Sequence, residues 1–214
     1  IWKIHSKDDA MSLWAIIPVK PLRRGKSRLS SVLTEDERAM LNYSMLSNVL
    51  LTLRSISQID QILVVSRDTS ALSLAREYGV RTVQEDGRPN LNTALKRATA
   101  VAQIYSVDNI LVLPADLPLI TSQDIENIIK KAGDPPVMVI APDRRMDGTN
   151  ALYVSPAGTI EYSYGPGSFR RHIEQAKINH MRTEICDLPT LSLDLDWPED
   201  LELLKEIQAM QVDM

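Results

Sequence analysis

Apolar and polar positions along the chain fall into two kinds of run. Short stretches of consecutive apolar residues alternate with longer ones in which apolar residues recur every three or four positions. LWAIIPV (13–19), ILVVS (62–66), VRTVQ (80–84), NILVLPA (109–115) and VMVIAP (137–142) are read as strands. The almost wholly apolar ones suit a parallel sheet covered on both faces. Between them, Thr34-Glu35-Asp36-Glu37 reads as a capping box opening a long helix whose apolar face includes Leu46, Val49, Leu50 and Leu53. A short helix near 69–78 stops at Gly79. Leu91, Ala94, Leu95, Ala98, Val101, Ala102 and Tyr105 give the clearest helical period. Thr121 and Asp124 cap a fourth helix carrying Ile125, Ile128 and Ile129.

Five strands separated by four helices predict right-handed βαβ crossovers. After residue 142 the rhythm changes to shorter segments: ALYVS (151–155), a helix near 168–177, HMRTEI (180–185), LSLDLD (191–196) and a helix near 198–208. At least one antiparallel strand is expected there. The predicted fold is a single-domain, three-layer α/β/α sandwich with a mixed, mostly parallel sheet, spanning 11–210. Residues 1–10 carry no clear pattern and are read as an N-terminal extension.

The 214 residues carry a net charge of −4, which argues against a general nucleic-acid binder. The single cysteine, Cys186, fits a reducing compartment and reads as an inert surface or half-buried thiol. Without a signal-peptide pattern or a bilayer-length apolar run, the expectation is a cytoplasmic protein.

Ligands of open α/β sheets bind beyond the carboxyl ends of the strands. After the first strand comes PVKPLRRGKSRLS (18–30), in which Lys20, Arg23, Arg24, Lys26 and Arg28 surround Gly25. Gly25-Lys26-Ser27 matches the tail of a P-loop, but the required earlier glycine is replaced by Lys20. The loop still offers cations for phosphate oxygens, and it lacks the aromatics of a single-strand RNA platform. After the fourth strand comes Asp116, held between Pro114 and Pro118. Asp194 and Asp196 alternate along LSLDLD and would face one side of a strand. Asp116 and Asp196 could bind Mg²⁺, although Asp196 could equally cap the last helix. In YGPGSFRRH (164–172) the glycines and a helix start could admit an anion, or form a plain turn capped by Ser168. His172 reads as a surface residue. Asn90 and Asn92 could read a base edge or cap a helix.

AIIPVKPLRRGKSRL, LPADLPLI, DGTNAL, YGPGSFRRHIEQA and LDLDWPEDL together resemble the 2-phospho-L-lactate guanylyltransferases of coenzyme F(420) biosynthesis, whose relatives use phosphoenolpyruvate. The resemblance runs from Leu13 to about Leu204. It implies a fold like the nucleotide-diphospho-sugar transferases, with GTP and a small phosphorylated carboxylic acid as partners and Mg²⁺ as cofactor. It implies that the loop from Pro18 to Arg28, with Val19 and Gly25, holds the triphosphate; by charge and position Lys20, Lys26 and Arg28 are expected as catalytic cations, and Asn90, Asn92 and Ala115 near the nucleotide. Thr149, Gly165 and Ser168 would hold the acid, and Asp116 and Asp196 the metal. Trp197 stands where such motifs usually carry Thr. No nucleic-acid or membrane partner is implied, and a homodimer is left open. Rival readings are transfer to molybdopterin, a sugar phosphate or 3-phosphoglycerate, a glycosyltransferase using Asp194-Leu195-Asp196, and a non-catalytic nucleotide or RNA binder.

Overall fold

The computed structural model describes residues 11–212; the proposed extension at 1–10 lies outside them. The strands are β1 (Leu13–Val19), β2 (Gln61–Ser66), β3 (Arg81–Gln84), β4 (Asn109–Val112), β5 (Val137–Pro142), β6 (Thr149–Ser155) and β7 (Arg182–Ile185). They form one sheet in the order β3-β2-β1-β4-β6-β5-β7. β1 pairs in parallel with β2 and β4, β2 with β3, and β5 with β7. β6 alone runs antiparallel, to both β4 and β5.

The helices are α1 (Glu35–Arg54), α2 (Thr69–Glu77), α3 (Leu91–Ile104), α4 (Ser122–Ala132), α5 (Ser168–Ile178), α6 (Pro189–Ser192) and α7 (Pro198–Val212). Successive strand residues point to opposite faces, so an uninterrupted apolar strand needs two cores. Leu13, Ala15 and Ile17 pack with Leu46 and Leu50 of α1, Leu72 of α2 and Ile125 of α4. Trp14 and Ile16 pack on the other face with Leu95 of α3 and Phe169 of α5. Each such Leu, Ile or Phe contributes about 1.5–3 kcal/mol on burial. Both capping boxes form, at Thr34/Glu37 and at Thr121/Asp124. Gly79 takes a left-handed turn, φ +70°, just past α2.

Two expectations are corrected. LSLDLD is not a strand: Leu191 and Ser192 end α6, and Leu193 and Leu195 are buried with Met45 of α1 and Leu204 of α7. Their alternation serves this small helix–helix core rather than a sheet face. Cys186 is buried, because its N–H continues β7 onto the Ile140 carbonyl (2.8 Å) and so carries the thiol into the core. Burial pushes that thiol up.

β6 matters most for the site. Its pairing of Val112 with Leu152 runs backwards. Carried on, that register brings Thr149 to the carboxyl end of β4, from which Ala115 and Asp116 emerge.

Candidate functional site

The basic loop leaves β1 and is pinned at once. Arg24 and Gly25 donate their N–H groups to the Pro21 carbonyl at 3.1 and 2.8 Å. The Leu22 N–H donates to the Asp68 carboxylate (2.7 Å), and the Leu22 carbonyl accepts from Asn42 Nδ2 (2.6 Å). A side chain at position 25 would meet Asn42 Nδ2 at 2.8 Å, so Gly25 is present for close approach. Lys26 follows in the left-handed conformation, φ 57° and ψ 37°. For a lysine this costs of the order of 1 kcal/mol, which the surrounding contacts must offset.

Those contacts are ionic. Lys26 Nζ donates to Asp116 Oδ2 at 2.6 Å and to Asp196 Oδ1 at 3.0 Å, with its side chain only 6% exposed. Arg28 Nη1 reaches the other Asp196 oxygen at 3.1 Å, and the guanidinium carbon lies 4.5 Å from the centre of the Trp197 ring. Burial draws the Lys26 amine down, but the two carboxylates outweigh it and hold the amine above its usual value. Asp196 is pushed up by burial and pulled down further by Lys26, Lys20 and Arg28. Asp194, desolvated and beside Asp116 and Asp196, is raised to about 6.

Asp196 is not the cap of α7. Asp200, buried, accepts the Trp197 N–H (2.7 Å) and the Asp196 N–H (3.0 Å) and pairs with Arg144 at 2.5 Å. That leaves both Asp196 oxygens for cations. The segment is fixed further by Leu195 N–H on the Asp116 carbonyl (3.3 Å) and by Asn150 Nδ2 on the Leu191 carbonyl (2.9 Å).

Beside this ion cluster lies a cleft of about 320 Å³. Of the residues expected around the nucleotide, Pro18, Val19, Gly25, Asn90 and Ala115 line it, as do Lys20, Lys26, Asp116 and Asp196. Asn92 does not. Its amide brackets the Tyr164 backbone, accepting from N–H at 2.7 Å and donating to the carbonyl at 3.4 Å. Asn90 caps α3 by accepting the Thr93 N–H (2.9 Å) while still facing the cleft. Arg23 and Arg24 are exposed and do not line the cleft; among the described residues Arg23 makes a solvent-exposed pair with Asp36. Sequence reasoning missed Glu85, which lines the cleft, accepts the Asn90 N–H (3.2 Å) and lies 3.7 Å from Arg67. An acid just after β3 was the signal that could have found it. Asn42 was missed too, because nothing in its helix marks it as the brace of a distant loop.

Thr149, Gly165 and Ser168 form a second cluster that does not line the cleft. Thr149 Oγ1 lies 3.1 Å from Ser168 Oγ and 3.1 Å from His172 Nδ1. His172 is fully buried, correcting the surface reading, and its Nε2 accepts the Ser163 N–H at 3.0 Å. Burial, with Arg171 nearby, holds its pKa down at about 4. The helix period alone could not show this, since its partners come from two other segments. Ser168 is not a cap: α5 starts from Gly167, and the Asp147 carbonyl and carboxylate accept the Phe169 and Gly167 N–H groups at 3.0 Å each.

The cleft beside a strand-end carboxylate pair, on this sheet, defines a nucleotidyltransferase-like fold. A nucleotide-diphospho-sugar transferase from Desulfovibrio desulfuricans superposes with a TM-score of 0.73 at 16% identity, over 91% of this chain and 87% of its own. A nucleotidyl transferase from Methanothermobacter gives 0.67 at 15% identity, over 94% and 99%. The family described as "Guanylyl transferase CofC like" matches residues 13–208, and the chain belongs to it. It is 40% identical over 201 residues to the phosphoenolpyruvate guanylyltransferase of Rubrobacter xylanophilus, covering 94% of this chain and 97% of the relative. It is 37% identical over 186 residues to the 2-phospho-L-lactate guanylyltransferase of Methanocaldococcus infernus, covering 87% and 81%. The protein is thus a guanylyltransferase enzyme.

Proposed function

We propose that the enzyme transfers GMP from GTP to the phosphate of 2-phospho-L-lactate or phosphoenolpyruvate and releases pyrophosphate, a step of coenzyme F(420) biosynthesis. One observation carries the site assignment: Lys26, Asp116 and Asp196 meet at the carboxyl end of the sheet, beside the cleft. The acceptor's phosphate, with a second pKa of about 6, is already mostly dianionic at neutral pH and needs no general base. The obstacle is repulsion between two polyanions. Lys20 and Lys26 face the cleft and supply charge and donors for the triphosphate, and Arg28 stands beside them. Such preorganised donors act where charge grows on the α-phosphoryl group and the departing pyrophosphate.

The carboxylates of Asp116 and Asp196 fit Mg²⁺, since both aim an oxygen at one cation and both are hard donors. Bound there, the ion would neutralise phosphate charge and favour loss of pyrophosphate. Asp116 and Asp196 are its proposed ligands. For the base, Glu85 is a stronger candidate than either asparagine. A carboxylate accepts from both N1–H and the exocyclic amine of guanine, a pair that adenine lacks. Thr149, Gly165 and Ser168 are the proposed acceptor contacts, supported by the delivery of Thr149 to the same rim by β6.

Asp116→Asn tests the assignment. The variant should bind GTP and lose turnover by about 10²–10³-fold, as for other electrostatic contacts at a transition state. Wild-type turnover would remove Asp116 from the chemistry. Incubating the wild-type enzyme with GTP, Mg²⁺ and each acid in turn, with mass detection of the guanylylated product, identifies the acceptor.

A further inference from the structure

We propose that His172 is a positioning residue that keeps the Thr149–Ser168 hydroxyl pair one proton in excess, so that the pair receives an anionic oxygen of the acid acceptor. The inference rests on the acceptor placement proposed above.

The argument is a count of protons. The Ser163 N–H can only donate, and it lies 3.0 Å from His172 Nε2. That nitrogen must therefore present its lone pair. The ring is buried and stays neutral near pH 7, its pKa held at about 4 by desolvation and by Arg171, so its single proton sits on Nδ1. Nδ1 lies 3.1 Å from Thr149 Oγ1, and Nδ1–H donates to it. Thr149 Oγ1 in turn lies 3.1 Å from Ser168 Oγ. Three protons thus share two contacts. However the hydroxyls turn, one O–H is left without an acceptor among the described residues. With the other tautomer, Nδ1 would accept from Thr149 and Thr149 from Ser168, leaving no proton over. Ser163 thereby sets the polarity of the whole cluster through the imidazole.

A buried unpaired donor is destabilising, and an anionic ligand oxygen would relieve that cost. Most amides of the neighbouring turn are already engaged. The Gly167 and Phe169 N–H groups are taken up by Asp147, and the Ser168 N–H by the Gly165 carbonyl. The hydroxyl pair, with the Gly165 N–H, is what the turn has left to offer. Asn92 completes the arrangement. Its bracket on Tyr164 fixes the residue next to Ser163, and the Tyr164 ring meets His172 edge-on at 5.0 Å.

The test combines tautomer and kinetics on the full chain. Nitrogen NMR of protein labelled with ¹⁵N-histidine should show His172 neutral with its proton on Nδ1, and phosphoenolpyruvate without GTP should shift that resonance. Thr149→Val and Ser168→Ala should each raise the acceptor KM about tenfold or more, the loss of one hydrogen bond to a charged group. Thr149→Ser should restore it. His172→Phe, which keeps the ring contact with Tyr164, should raise the acceptor KM similarly and leave the GTP KM within about twofold. A proton on Nε2 overturns the proposal. So does a folded His172→Phe enzyme with an unchanged acceptor KM while Thr149→Val remains impaired, an outcome that leaves the acceptor placement standing. Unchanged acceptor KM values in both Thr149→Val and Ser168→Ala remove the placement and the proposal together. Should His172→Phe not fold, the tautomer and the phosphoenolpyruvate shift in the wild-type protein decide.

Discussion

Replacing Lys26 by methionine keeps most of the side-chain volume and removes the one charge that joins Asp116 to Asp196. Their nearest oxygens sit 2.6 and 3.0 Å from the same nitrogen, so they are less than 6 Å apart. At an effective dielectric constant of about 20, two unit charges at that distance repel by roughly 3 kcal/mol. The two aspartates are 25% and 30% exposed, so solvent screens part of this. A net loss of about 2 kcal/mol is expected at neutral pH. Urea unfolding of wild type and Lys26→Met, near neutrality and near pH 4, with and without millimolar Mg²⁺, checks it. The deficit should shrink at the acid end, where aspartates approach their usual pKa of about 4 and take up protons. It should shrink at neutrality when Mg²⁺ is added, because the vacated position suits a divalent ion. A variant as stable as wild type that gains no more from Mg²⁺ than wild type does would refute the reasoning. The carboxylates would then not sense one another.

Three more outcomes follow from the same contacts. Asp200→Ala removes the acceptor of two N–H groups and leaves Arg144 unpaired, so it should cost about 3 kcal/mol in urea unfolding and lower turnover by releasing Asp196. His172 is held at about 4 when folded against 6.5 as a free side chain, so the unfolded chain takes up the proton first as pH falls. Its contribution is complete above about 6.5 and lost toward pH 4, about 3 kcal/mol in all, and the difference in unfolding free energy between wild type and His172→Phe should follow that window. Glu85→Gln should narrow the preference for GTP over ATP in kcat/KM by about tenfold or more, because the amide can no longer accept from two guanine donors at once.

The parallel half of the fold was legible because fully buried strands carry uninterrupted apolar runs, and β1, β2 and β5 appear where such runs lie. The caps at Thr34 and Thr121 were legible because a capping box is a local pattern. What escaped depended on partners distant along the chain. Asp196 reads as a cap for α7, but its oxygens go to Lys26 and Arg28, while Asp200 in the first turn takes up the Trp197 and Asp196 N–H groups. LSLDLD has the period of a strand, yet its leucines are claimed by α1 and α7. His172 looked solvent-facing because its polar partners, Thr149 and Ser163, come from segments that its helix period cannot sense. In the basic loop, charge alone could not sort inward residues from outward ones. Lys26 turns in through its left-handed backbone, while Arg23 and Arg24 remain exposed.

The reversed course of β6 has a consequence for how such an enzyme can be altered. The two halves of the rim are delivered by different means: the Asp116 half by strands that end there, and the Thr149 half by a strand that begins there. The hairpin between β5 and β6 is the joint between them: Arg144 pairs with Asp200, which holds the Asp196 backbone, and Asp147 holds the start of α5. Changes to this turn are therefore best confined to Arg145 and Met146, which leaves the Arg144 and Asp147 contacts in place.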